Sequence, residues 1–122
     1  MPEVVVNTDL ADIANAFNIW NDALQTLDPK QVAALYAPGG VLLPTVSNRV
    51  RTTNAEIVDY FTQFLQLKPR GKIDESHVRL LAPDTGINSG VYTFKLQKDG
   101  QEISVQARYS FTYKKVSNWF CI

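Results

Sequence analysis

Cysteine, histidine and methionine each occur once in the 122 residues. A single thiol, Cys121, cannot close an internal disulfide, and no Cys/His cluster exists to hold zinc. No metal and no cofactor is therefore expected. A surplus of either charge is also missing: twelve Lys and Arg stand against twelve Asp and Glu, for a formal net charge of +0 and a pI near 6.6. Without a cationic face the chain is a poor partner for nucleic acid or an anionic membrane. No apolar run approaches the roughly 20 residues of a membrane span. The start Met1-Pro2-Glu3 lacks the basic and apolar regions of a secretory leader, so the expected compartment is the cytoplasm. Internal repeats and low-complexity stretches are absent as well. What remains is ordinary: 45% hydrophobic and 20% charged residues describe a folded chain. Its length predicts one domain, 1–122, able to bury about two-thirds of its unfolded surface.

The first half carries helical periodicity. Leu10, Ile13, Phe17, Trp20 and Leu24 recur at spacings of three and four, which predicts one helix capped by Thr8 or Asp9 and ending near Leu27. Asp28-Pro29-Lys30-Gln31 opens a second, short helix with Val32, Leu35 and Tyr36 on its apolar side. Val41-Leu42-Leu43 is a short strand candidate. Thr53-Asn54-Ala55-Glu56 is a capping box for a third helix, whose apolar face is Ile57, Tyr60, Phe61, Phe64 and Leu65.

The second half alternates. Strands are predicted at Ser76 to Leu81, Val91 to Leu96 and Ile103 to Tyr113, with Lys98-Asp99-Gly100 as a hairpin turn. Val116-Ser117-Asn118 reads as a further turn before a short strand at Trp119 to Ile122. Helices followed by an antiparallel meander predict an α+β domain with the helices on one sheet face.

Ordered strings of this chain resemble the nuclear transport factor 2-like superfamily, and within it the association domain of calcium/calmodulin-dependent protein kinase II. They include Trp20-Asn21-Asp22-Ala23-Leu24 with Asp28-Pro29, then Val41 to Asn48 with Arg51, and Tyr60 to Leu65. Gly90-Val91-Tyr92-Thr93-Phe94 and Ala107-Arg108-Tyr109-Ser110-Phe111 before Trp119 complete the set. The resemblance covers nearly the whole chain. It implies a cystatin-like cone: a curved, mostly antiparallel sheet wrapped around N-terminal helices and enclosing a pocket. It also implies a homo-oligomeric hub, built from dimers and closed into a ring. Where family members continue beyond the tryptophan strand into a His/Ser-containing segment, this sequence stops at Ile122.

Some relatives with this fold are enzymes, such as ketosteroid isomerase and the SnoaL-type cyclases, whose chemistry needs a carboxylate or histidine in an apolar cone. Here the carboxylates fall at caps, turns and polar helix faces, so no catalytic residue is assigned. His77 lies on a predicted strand with Asp74 on the opposite face, which makes a poor dyad, and no proton transfer is expected of it.

Arg108 is the residue to single out, as the one charge on the polar face of the longest strand. The resemblance places the matching arginine in the pocket, where a guanidinium offers a planar fork to a small carboxylate. Phe94 replaces a further pocket arginine of the kinase-attached members, which weakens any anion site. Arg51 can reach the same mouth or tie its own loop down. Trp20, Tyr36, Tyr60 and Tyr92 serve as core or pocket wall. If Arg108 faces the cone, Val105, Tyr109, Phe111 and Tyr113 face outward and need a partner surface, which makes them the expected oligomer interface. The opposite arrangement puts that stripe on the helices and Arg108 in solvent, and a bulge could switch faces midway. The first arrangement, with self-association as the main activity, is the expectation taken forward.

Overall fold

A computed structural model describes residues 2–44, 47–116 and 118–122, with side chains from Leu10 onward. The chain forms α1 (Pro2–Gln25), α2 (Pro29–Ala33), α3 (Asn54–Phe64), a 3₁₀ turn (Leu65–Leu67), β1 (Arg70–Ala82), β2 (Thr85–Lys98), β3 (Gln101–Lys115) and β4 (Trp119–Cys121). The four strands make one antiparallel sheet in sequence order. This is the α+β, cystatin-like architecture expected, with the helices on one face. The first helix starts at Pro2, so Thr8 and Asp9 lie inside it and do not cap it as expected; Ser117 of the expected last turn lies outside the described residues.

The helical spacing holds. Ile13, Phe17, Trp20 and Leu24 are all buried, and the Phe17 ring centroid lies 6.3 Å from Tyr92 and Phe111 and 6.4 Å from Tyr109. Leu27 takes a φ of 60° just past the helix end. Asn21 locks α1 onto β1, its amide donating to Gly71 O and its Oδ1 accepting from Gly71 N, both at 2.9 Å. Nothing in the sequence pattern announces that clasp. Asp28 caps α2 by accepting from Lys30 N, and Thr53 caps α3 by accepting from Glu56 N. Glu56 reaches back to Thr52 N rather than to the cap residue itself.

All three main strands run longer than their apolar cores suggest. Val41-Leu42-Leu43 is not a strand: a single antiparallel bridge joins Leu42 to Arg51. The Asp99-Gly100 hairpin forms as predicted, with both residues at positive φ (53° and 77°), the mirror-image turn that fits the strand twist. At Gly90 a Cβ would meet Glu75 O at 1.9 Å. Glycine is required there because the register shift between Ile73 and Glu75 pushes the β1 main chain over the inner face.

The faces of β3 are the reverse of those expected. Tyr109 and Tyr113 are buried and Val105 and Phe111 half-buried against the helices, while Ser104, Gln106, Arg108 and Ser110 are exposed on the other side. Within one subunit the aromatic stripe is core, not an oligomer interface. The reason is area: these rings meet Phe17, Trp20 and Tyr92, and removing them from water outweighs any gain from burying one arginine.

Candidate functional site

The sheet curls around α1 and α3 to leave a cavity of about 940 Å³. Trp20, Tyr36, Tyr60 and Tyr92 border it, as expected, joined by Phe64 and Phe94. Leu43 and Ile122, both exposed, stand at its mouth. The aromatic residues are held by one another: Trp20 meets Phe94 edge-on at 5.9 Å, Tyr60 stacks on Phe64 at 5.6 Å and Tyr92 on Tyr109 at 5.0 Å. Such pairs fix ring orientation as well as filling space.

Polar atoms sit within this apolar shell. Trp20 Nε1, Tyr36 Oη and Tyr113 Oη are buried without a hydrogen bond of sound geometry. Burial raises the Tyr36 and Tyr113 hydroxyls far above the ordinary tyrosine range, with the neighbouring Cys121 adding to both; proximity of the Trp20 indole acts weakly the other way on Tyr36. Burial likewise pushes Tyr60 to about 12 and the Cys121 thiol to about 12. These groups stay protonated at neutral pH, so the thiol is no nucleophile. Tyr109 Oη donates to the fully buried Asn88 at 2.8 Å. Asn88 is a polar core residue that strand alternation alone did not single out.

The two arginines part company. Arg51 is buried at 6% exposure, donates to Glu56 O at 3.1 Å and pairs with Asp59 at 2.9 Å, and lies 5.8 Å above the Tyr60 ring. It ties the loop down and does not border the cavity, which corrects its expected pocket role. Arg108 borders the cavity, but its side chain is exposed. Every residue from Val105 through Thr112 touches the cavity regardless of parity, so the outward-facing ones do so through main chain. Arg108 is not an anion hook inside the cone, and no other cationic residue borders the cavity among the described residues.

No Asp, Glu or His side chain borders it either among the described residues. His77 sits on the outer sheet face and does have a carboxylate partner there, Glu75 at 2.6 Å, both side chains 61% exposed. The register shift between Ile73 and Glu75 breaks the expected alternation, so Asp74 lies on the same outer face as His77 after all, and His77 pairs with Glu75, a pairing the sequence reading overlooked. Asp74 accepts from Thr93 at 2.5 Å and Gln106 at 3.3 Å. Among the described residues no group of acidic, His and Cys side chains could hold a metal ion, and no helix is long and apolar enough to cross a membrane.

The family model for the calcium/calmodulin dependent protein kinase II association domain matches residues 9–122. A solved structure assigned to that association domain, from Xanthomonas campestris, is 49% identical with a TM-score of 0.88, over 90% of this chain and 80% of that one. A nuclear transport factor 2-like protein with a cystatin-like fold from Novosphingobium aromaticivorans is 12% identical with a TM-score of 0.80, over 99% and 82% of the two chains. A ketosteroid isomerase-like protein from Erwinia carotovora atroseptica is 19% identical with a TM-score of 0.73, over 94% and 92%. The latter two share the fold alone. Comparison with curated proteins gives no significant match.

Proposed function

The chain belongs to the calcium/calmodulin dependent protein kinase II association-domain family, and from that premise we propose that it is a self-assembling scaffold, a homo-oligomer built from dimers and closed into a ring. The observation that supports this is the uncovered outer face of the sheet. Along β2, Thr85, Ile87, Ser89, Val91 and Thr93 point away from the helices and are half-buried among their strand neighbours, Ser89 against Ser110 and Thr93 against Asp74. Beside them run Glu75, His77 and Arg79 on β1 and Arg108 and Lys114 on β3. A flat row of short side chains flanked by both signs of charge is self-complementary under a two-fold axis. Repeated identical contacts then either close or run on into filaments, and closure is the soluble outcome.

Assembly is the whole of the proposed activity. With Arg108 outside the cone and Arg51 engaged by Asp59, no guanidinium is placed to hold a carboxylate ligand in the cavity. An isomerase-like enzyme of this fold would need a proton-transfer group on the cavity wall, and the described wall carries neither a carboxylate nor a histidine. Light scattering after gel filtration at micromolar concentration tests the proposal. A species several times the 13.7 kDa chain mass is expected, and a lone monomer overturns it.

A further inference from the structure

The register shift in β1 re-aims one carboxylate. Ile73 lies across from Tyr92 and Glu75 across from Val91, so Asp74 is an extra residue in the strand. Plain alternation from the inward-facing Ile73 would send Glu75 to the helices. The bulge turns it outward instead, at the spot where its carbonyl demands glycine at position 90. Glu75 thereby enters one row with Val91 and Arg108. His77, Ser89 and Ser110 form the next row, and Arg79, Ile87 and Thr112 the one beyond; Lys72, Thr93 and Gln106 lie on the other side. Glu75 and Arg108 stand two strands apart, about 10 Å between main chains. Arg108 makes no ion pair with any described residue. His77 engages Glu75 through Oε2, which holds the carboxylate and leaves Oε1 for a second cation.

We infer that two copies pack outer face to outer face about a two-fold axis running lengthwise along β2 and crossing it at Val91. Glu75 of each copy then pairs with Arg108 of the other. A lengthwise axis exchanges β1 with β3 and keeps every row at its own height. His77 lies over Ser110 of the second copy, Arg79 over Thr112 and Lys72 over Gln106, so these rows oppose no like charges. Packed sheets cross at about 30°, which carries the two copies of Lys95, four residues beyond Val91, away from each other. The short side chains of Ser89, Val91 and Thr93 let the faces approach. Axes across the strands fit less well. Through Val91, such an axis sets Glu75 on Glu75 and Arg108 on Arg108. Through Ser89, it pairs Glu75 with Arg79 but sets His77 on His77 and leaves Arg108 facing Thr112.

This rests on the assembly proposed above and names its two-fold contact. Glu75→Arg and Arg108→Glu are substitutions of exposed side chains, and circular dichroism checks that each variant is folded. Each alone turns two attractive pairs into two repulsive ones and should weaken association at least about tenfold by sedimentation or light scattering. An equimolar mixture of the two variants restores both pairs between unlike chains and should recover the original strength. Loss of a fold or of stability within one subunit would not be repaired by mixing. Assembly that neither reversal weakens, or a loss that mixing does not repair, overturns the Glu75–Arg108 contact and leaves the scaffold standing. Repair by Arg79→Glu in place of Arg108→Glu assigns the crosswise axis and overturns the lengthwise one. Monomeric unsubstituted protein overturns both the contact and the assembly.

Discussion

The two faces of β3 are made by the same fifteen residues and meet opposite surroundings. Odd-numbered positions from Val105 to Tyr113 pack into an aromatic lattice with α1 and β2. Even-numbered positions carry Ser, Gln, Thr and one arginine into the open. The inner face is where fold stability resides, since each ring there is surrounded by partners that cannot move independently. The outer face contributes little to the folded chain and is left free to vary, which suits a surface for other copies. Position by position, the strand thus separates folding from the association proposed for its outer face.

Substitution at Tyr113 tests that division with the largest effect. Tyr113→Ala should cost about 3–5 kcal/mol by chemical denaturation, as for other buried aromatics. Tyr113→Phe should cost almost nothing, because the removed hydroxyl is buried and unpartnered. A large loss in the Phe variant would mean that the hydroxyl has a partner in solution.

Neighbouring positions on β2 make the second test. Gly90→Ala places a methyl group against Glu75 O and should cost about 1–3 kcal/mol, since backbone yields less readily than a side chain. Ser89→Ala, one residue away on the outer face, loses only its contact with Ser110 at 3.0 Å and should stay within about 0.5 kcal/mol. Equal losses at the two positions would break the comparison.

Arg108→Leu should change the stability of the isolated subunit by less than about 0.5 kcal/mol. A large loss on thermal denaturation would place the guanidinium inside the cone after all, as first expected from the sequence.

The smallest effect is in pH. Hydrogen bonding by Thr52 N–H, and next by Arg49, holds the Glu56 carboxyl down at about 2 from an ordinary 4.5. Its pKa is lower folded than unfolded, so its contribution is fully present above pH 4.5 and lost as the pH falls toward about 2. Glu56→Gln should flatten that part of the acid-stability profile and leave the neutral range nearly unchanged. An identical acid profile for the variant would remove Glu56 from the cap.

Much of the fold was legible because it depends on local period and local turn chemistry. The spacing of Ile13, Phe17, Trp20 and Leu24, the caps at Asp28 and Thr53 and the Asp99-Gly100 hairpin each depend on residues within a few positions of one another. Trp20, Tyr36, Tyr60 and Tyr92 were read as core or pocket wall from their apolar faces, while the pocket itself came from the family resemblance and not from local period. Alternation also showed that Arg108 and Tyr109 take opposite faces of β3. Which face meets the helices is a two-fold ambiguity that strand period cannot resolve. Only tertiary packing decided it, in favour of the side whose rings could be removed from water together. Packing also settled Arg51, since Asp59 and Glu56 O come within reach only when α3 docks beside the loop.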